Sequence, residues 1–156
     1  MQDIPFRDLP LYSYDYDYDY DADYPPVAQD FKAAIAAVDA VLFVTPEYNR
    51  SIPGGLKNAI DWTSRPDGDV GQLAAYGGKV AALVSASPGA LGGLRGLFHV
   101  RYVLSNIRVT VLPDQVAVGQ SGSSFDAAGE LSDDARRQQV EAVGAALAQA
   151  AAKLHG

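Results

Sequence analysis

From residue 26 onward the apolar positions fall into two alternating periods. Val27, Phe31, Ile35 and Val38 stand three or four apart among Ala, Gln, Asp and Lys, which predicts an amphipathic helix. Ala40-Val41-Leu42-Phe43-Val44-Thr45 is continuous and largely β-branched, the pattern of a strand buried on both faces of a parallel sheet, and Pro46 ends it. Residues 53–62 predict a second helix with Pro53 near its first turn and Leu56, Ala59, Ile60 and Trp62 supplying much of its buried face. After a loop rich in Gly and Asp, residues 79–86 predict another buried strand, and Gly92 and Gly93 mark its exit towards a helix reaching about Ser105. Residues 108–112 predict a short third strand closed by Pro113. An Ala-rich closing helix is predicted over 132–154, with Ser132 as N-cap, Asp133 and Asp134 favourable in the first turn and Lys153 near the end. This order predicts a single α/β domain, a sandwich with a parallel sheet whose ligands sit outside the carboxyl ends of the strands.

One segment breaks the pattern. Residues 12–26 contain a Tyr-Asp dipeptide repeat that ends in Pro25-Pro26 and holds six of the nine tyrosines. Period-two alternation imitates a strand, but Asp disfavours strands, the acids repel one another and the prolines stop regular structure. The repeat reads as an exposed acidic loop, lengthened by slippage in a repetitive coding stretch.

Composition narrows the chemistry by exclusion. The chain has 156 residues, 48% of them hydrophobic, and 19 acids against 12 bases give a formal charge of −7. That balance works against capture by phosphate backbones or anionic lipid, so neither nucleic acid nor membrane is an expected partner. With no cysteine, disulfides, thiolate nucleophiles, zinc–thiolate sites and cysteine-held clusters drop out, and redox chemistry would have to use a bound organic cofactor. The amino terminus lacks a basic, then apolar, leader and no run is long enough to span a bilayer, so a cytoplasmic location is expected.

The densest candidate site runs from Thr45 through Pro46-Glu47-Tyr48-Asn49-Arg50-Ser51-Ile52-Pro53-Gly54-Gly55-Leu56-Lys57-Asn58-Ala59-Ile60-Asp61-Trp62 to Thr63-Ser64-Arg65-Pro66. It leads from strand end through loop into helix, where Tyr48 offers an aromatic wall and backbone amides could meet the polar edge of a flat heterocycle. The stretch closely resembles the signature of the NADPH-dependent FMN reductase family, close to PEYN-x-S-x-PG-x-LKNA-[IL]-DW-x-SRP. The likeness extends from about Ile4 to the last helix and includes Ser85-Ala86-Ser87-Pro88-Gly89-Ala90-Leu91-Gly92-Gly93. It implies a flavodoxin-like three-layer sandwich, FMN as cofactor and NAD(P)H as co-substrate, with hydride passing to FMN and electrons onward to a quinone-like small-molecule acceptor. By the same resemblance Pro46, Glu47, Tyr48, Asn49 and Ser51 would line the isoalloxazine ring, and Ser87, Gly89, Gly92 and Gly93 would close its other side. No catalytic side chain and no metal is implied. The family is typically dimeric or tetrameric, which implies a homodimer or homotetramer. Leu94, Leu97, Phe98, Arg101, Tyr102 and Leu104 are more large side chains than one sheet-facing stripe needs, so that helix is the interface candidate, the alternative being a helix simply well buried on its own sheet.

Members of the family begin with a strand, a phosphate-binding loop close to G-S-x-R-x-x-S-x-N and a helix. Nothing of that kind, and no Ser, Thr or Asn cluster, stands before Asp8. On this reading the domain is truncated at its N-terminus, the phosphate site is missing and the strand at 40–45 has an unpaired edge. A start assigned too far downstream, a truncated gene, or an edge paired by another chain would each account for it. Under the first, residues 4–9 are the tail of a second strand and the loop after it. The rival functional reading is a flavin-free relative acting as an assembly partner.

Other signals are weaker. Ser85 to Gly89 superficially matches a nucleophile elbow, but Ser85 stands where glycine belongs and Pro88 removes an amide that an oxyanion hole needs. His99 reads as a surface or interface residue and His155 as part of a frayed tail. The Asp15-Asp17-Asp19 spacing opens like a calcium loop, but Tyr20 and Pro26 occupy the positions that need glycine and glutamate. Gly77-Gly78-Lys79 opens a strand instead of a helix, the wrong context for a phosphate loop.

Overall fold

Three parallel strands form the spine of the domain: β1 (Ala40–Thr45), β2 (Val80–Ala86) and β3 (Thr110–Val118), in the order β1-β2-β3. The computed structural model describes residues 1–17, 24–66 and 71–156. On one face lie α1 (Pro26–Ala36), α2 (Gly54–Ser64) and α3 (Leu94–Asn106), and on the other α5 (Asp134–His155); α4 (Ser121–Ser124) is a single turn. Strand parity decides the layers. Ala81 and Leu83 of the central strand point to α1–α3, where they meet Phe31, Ile35, Ile60, Leu97 and Leu104. Val80, Ala82 and Val84 point to α5, where they meet Val143 and Leu147. Because β2 is covered on both faces, it reads as an unbroken apolar run, and six of its seven residues are buried. This is the α/β sandwich with a parallel sheet that the alternation of elements predicts.

Most element ends agree with the sequence pattern, and four places differ. Pro113 does not close the third strand: β3 continues to Val118. Ala81 and Leu83 pair with Val111 and Gln115, so β3 carries extra residues around Pro113 as a bulge, where a missing N–H costs no ladder bond. The bulge is tied from above by Arg101 of α3. Its guanidinium donates to Gln115 Oε1 (2.8 Å) and to the carbonyls of Val111 and Pro113 (both 3.3 Å). The N-cap of α5 is Asp133, not Ser132: its carboxylate accepts from the amides of Ala135 (2.9 Å) and Arg136 (3.3 Å). Residues 6–9 form a turn closed by Leu9 N–H on Phe6 O, in keeping with a loop there, but residues 4 and 5 before it are not in a strand. His155 is the last helical residue of α5, with Nδ1 3.9 Å from Asp39 Oδ1, instead of a frayed tail.

The segment before α1 docks on α2. Trp62 is fully buried, its indole N–H donates to Pro10 O (2.8 Å), and the rings of Tyr12, Tyr16 and Tyr24 stand around it at centroid distances of 5.1–5.3 Å. Where the repeat suggests a solvated loop, these three tyrosines are half-buried; Tyr14 and Asp15 are exposed, and Tyr14–Asp17 is one 3₁₀ turn. The rest of the repeat, with the Asp19 and Tyr20 positions of the calcium-loop comparison, lies outside the described residues.

Buried polar groups are tied to element ends. The Lys79 ammonium donates to the carbonyls of Ala36 (3.1 Å) and Val38 where α1 stops, and burial holds it below its ordinary pKa. The Tyr76 hydroxyl meets Thr63 Oγ1, which also lies 3.0 Å from Ala59 O, and burial pushes the phenol up to about 12. An elevated folded-state pKa contributes stability that is fully present below pH 10 and is lost as pH climbs from 10 towards 12, because only the unfolded chain ionises there. Lys79, with its depressed pKa, works in the opposite direction towards pH 10.5, so the two are separated by substitution. Urea unfolding of the wild type and of Tyr76→Phe, at pH 9 and pH 11.5, is expected to show about 2 kcal/mol more alkaline loss in the wild type. Parallel losses in the two proteins would contradict this assignment.

Candidate functional site

The carboxyl ends of β1 and β2 carry two loops that face one another. The first, residues 46–53, contains a two-residue hairpin turn: Tyr48 and Ser51 exchange both backbone hydrogen bonds at 3.0 Å across Asn49 and Arg50. Both central residues lie in the left-handed region, with φ of 50° and 67°, as a turn of this hand requires. Asparagine tolerates that conformation; arginine does so rarely, so the surroundings must hold the turn. Ser51 Oγ lies 2.8 Å from His99 Nδ1 on α3, which supplies one such tie.

Glu47 supplies the other. Its side chain is 11% exposed, and the carboxylate accepts from Gly96 N–H (3.1 Å) and Arg95 Nη1 (3.3 Å). Gly96 is the third residue of α3, so Glu47 caps a helix from a different element, with an anion where the helix end is positive. Its side chain therefore belongs to the loop–helix joint and leaves only the backbone of Glu47 facing the gap. Gly96 also explains itself here: a Cβ would lie 3.4 Å from Ser51 O.

The second loop, residues 87–93, is locked backbone to backbone. Ser85, fully buried, donates from Oγ to Gly92 O at 2.6 Å, and a Cβ on Gly93 would strike that same side chain at 2.8 Å. Gly92 has φ of 62°, and a Cβ on it would sit 2.5–2.7 Å from backbone atoms of residues 117–119. Gly119 answers it: a Cβ there would meet Ala90 O at 2.5 Å. Hydrogen bonds from Ser87 N–H to Val118 O, Gln120 N–H to Gly89 O and Ser121 N–H to Ser87 O complete the joint. The outer rim is open, since a Cβ on Gly89 would touch nothing within 4 Å.

The two loops share a feature suited to a flat heterocycle. The amides of Glu47, Asn49 and Arg50 on one, and of Gly89, Ala90 and Leu91 on the other, donate to no backbone carbonyl among the described residues. Tyr48 and Leu91 beside them are 60% and 47% exposed. Donors in two short rows with an exposed ring alongside fit the carbonyl and ring-nitrogen edge of an isoalloxazine. The structure places Pro46, Glu47, Tyr48, Asn49 and Ser51 on the first loop and Ser87, Gly89, Gly92 and Gly93 on the second, as neighbours across adjacent strand ends. Sequence reasoning did not find the His99 contact with Ser51 or the part of Gly119. The glycine inside α3 was the available signal for a close approach at Gly96.

Comparison with known proteins gives a consistent picture. The family model described as NADPH-dependent FMN reductase matches residues 3–123. The chain is 41% identical over 119 residues to an NAD(P)H-dependent FMN reductase of Pseudomonas aeruginosa, covering 76% of this chain and 62% of that one. It is 45% identical over 131 residues to a quinone reductase of Pseudomonas putida, covering 83% of this chain and 66% of that one. The chain thus spans about two thirds, or slightly less, of the length of these curated relatives. Among solved structures, the flavoenzyme NAD(P)H:(acceptor) oxidoreductase of Paracoccus denitrificans superposes with a TM-score of 0.81 at 31% identity, covering 97% of this chain and 79% of that one. No helix among the described residues is long and apolar enough to cross a membrane.

The interlock makes a sharp stability contrast. Gly92→Ala forces a Cβ into backbone that cannot retreat and is expected to cost about 3 kcal/mol or more, whereas Gly89→Ala, facing open space, should cost under about 0.5 kcal/mol. Urea midpoints of the two variants check this, and equal midpoints would remove the interlock from the account.

Proposed function

The chain belongs to the NADPH-dependent FMN reductase family, and from that premise we propose that it is an FMN-dependent NAD(P)H oxidoreductase acting on quinone-like small molecules. The observation that carries this reading is the pair of amide-lined loops at the carboxyl ends of adjacent parallel strands. FMN bound there supplies hydride acceptance from NAD(P)H and two-electron delivery to the acceptor, so the protein needs no nucleophile and no metal.

The roles of the residues divide by geometry. Pro46 and the backbone of Glu47 and Asn49 hold the polar edge of the ring on one side, with Tyr48 as the aromatic wall. Ser51 keeps the turn in shape through His99. On the other side Ser87 and Gly89 form the rim, while Gly92 and Gly93, both buried, act by letting the loop take its course. The exposed Tyr48 and Leu91 leave room for a flat acceptor or a nicotinamide to approach. We assign the protein to the cytoplasm, where NAD(P)H is available. We also assign α3 to a homodimer or homotetramer contact: Phe98 and Tyr102, one turn apart, are 55% and 73% exposed.

Titration of the purified protein with FMN, followed by flavin fluorescence, tests the reading. Stoichiometric uptake and NADPH-driven reduction of benzoquinone are the expected results. Tyr48→Ala should weaken FMN binding by about tenfold and leave the rate at saturating FMN within a few-fold. A folded protein that takes up no FMN would instead favour the flavin-free assembly partner. Abolished turnover in Tyr48→Ala at full FMN occupancy would overturn the view that no single side chain is catalytic.

A further inference from the structure

A second polar cleft, of about 530 Å³, opens at the carboxyl end of β3, on the far side of the 87–93 loop from β1. Its walls are the segment after β3, the start of α5, and Ala90 from the locked loop. The residues lining it are unusually complementary as a set. Arg136 is half-buried, and its guanidinium makes no hydrogen bond or ion pair among the described residues; the neighbouring Arg137 is already paired with Asp134. The side chains of Gln120 and Ser132 are likewise without a hydrogen-bond partner among the described residues, which leaves donors available next to the cation. Ser123 and Ser124 differ: their hydroxyls donate to the carbonyls of Gln120 (3.2 Å) and Gly119 (2.7 Å), so what they offer the cleft is lone pairs.

The chemistry of a matching ligand follows from this inventory. An unpaired guanidinium flanked by amide and hydroxyl donors fits a phosphomonoester, and serine oxygens committed as acceptors fit hydroxyl groups on the body that carries it. One carboxylate also lines the cleft. Asp133 is engaged with the amides of Ala135 and Arg136, so the end of α5 is already capped and the attraction rests on Arg136, against the residual charge of Asp133. We propose that this cleft binds the phosphomonoester of a hydroxylated small molecule, with Arg136 as its charge partner. Two sources share that chemistry: the 2′-phosphorylated ribose end of NADPH, and a free sugar phosphate.

Calorimetric titration at low ionic strength separates the sources and needs no flavin, so its failure is distinct from failure of the reductase reading. The probes are adenosine 2′,5′-bisphosphate, glucose 6-phosphate and inorganic phosphate. Saturable binding of either organic phosphate is expected, weakened about tenfold or more by Arg136→Gln. Asp133→Asn keeps an effective cap and removes the opposing charge, so it should bind about threefold more tightly. Binding of the bisphosphate alone assigns the cleft to the dinucleotide, and binding of glucose 6-phosphate as well assigns it to sugar phosphates. The proposal is overturned if neither organic phosphate saturates, if inorganic phosphate binds as well as they do, or if Arg136→Gln, with unchanged circular dichroism, binds like the wild type.

Discussion

At the carboxyl end of the sheet, two loops run so close together that neither has space for a side chain where they cross. Gly92 and Gly119 meet across a gap that would put a Cβ 2.5 Å from backbone on either side. Adjacent parallel strands deliver their loops side by side, and here the two are pressed into contact and stitched by three backbone hydrogen bonds. Everything at the candidate site takes its position from that contact. It fixes where α3 begins, Ser85 pins the same loop from beneath, and Glu47 reaches over from the first loop to close the first turn of α3. The hairpin turn bearing Tyr48 is thus referenced to β2 and β3, although it is covalently part of the loop after β1.

The same device recurs at the other end of the molecule with cations in place of glycines. Lys79 collects the carbonyls left when α1 stops, Lys32 donates to Arg65 O just past the end of α2, and Arg101 gathers the carbonyls freed by the bulge in β3. Helix ends and bulges leave acceptors that must be satisfied before they can be covered. Long cationic side chains do this while packing their stems against the layers, so these two lysines and Arg101 are positional groups more than surface charge.

Much of this was legible in the sequence, for reasons that differ by element. The strands at 40–45 and 80–86 announced themselves because a strand covered on both faces leaves no polar phase to confuse the pattern. The site loops were legible through a motif, since spacing alone could say only that a strand end runs into a helix. What was not legible is non-local. Pro113 looks like a terminator until Arg101, brought over by α3, supplies donors for the bulge. The engagement of the Glu47 carboxylate with α3 shows only once α3 is seen to start beside it. The polar cleft combines Gln120 with Arg136 across a bridge between Phe125 and Leu131, and no local pattern marks that pairing.

The aromatic nest around Trp62 bears on how the Tyr-Asp repeat came to be tolerated. Tyr16 and Tyr24 stand eight positions apart in the sequence and rest on the same indole, with ring centroids 5.1 and 5.3 Å from that of Trp62. A copying error that adds or removes Tyr-Asp units between these two rings removes neither of them from its place against Trp62.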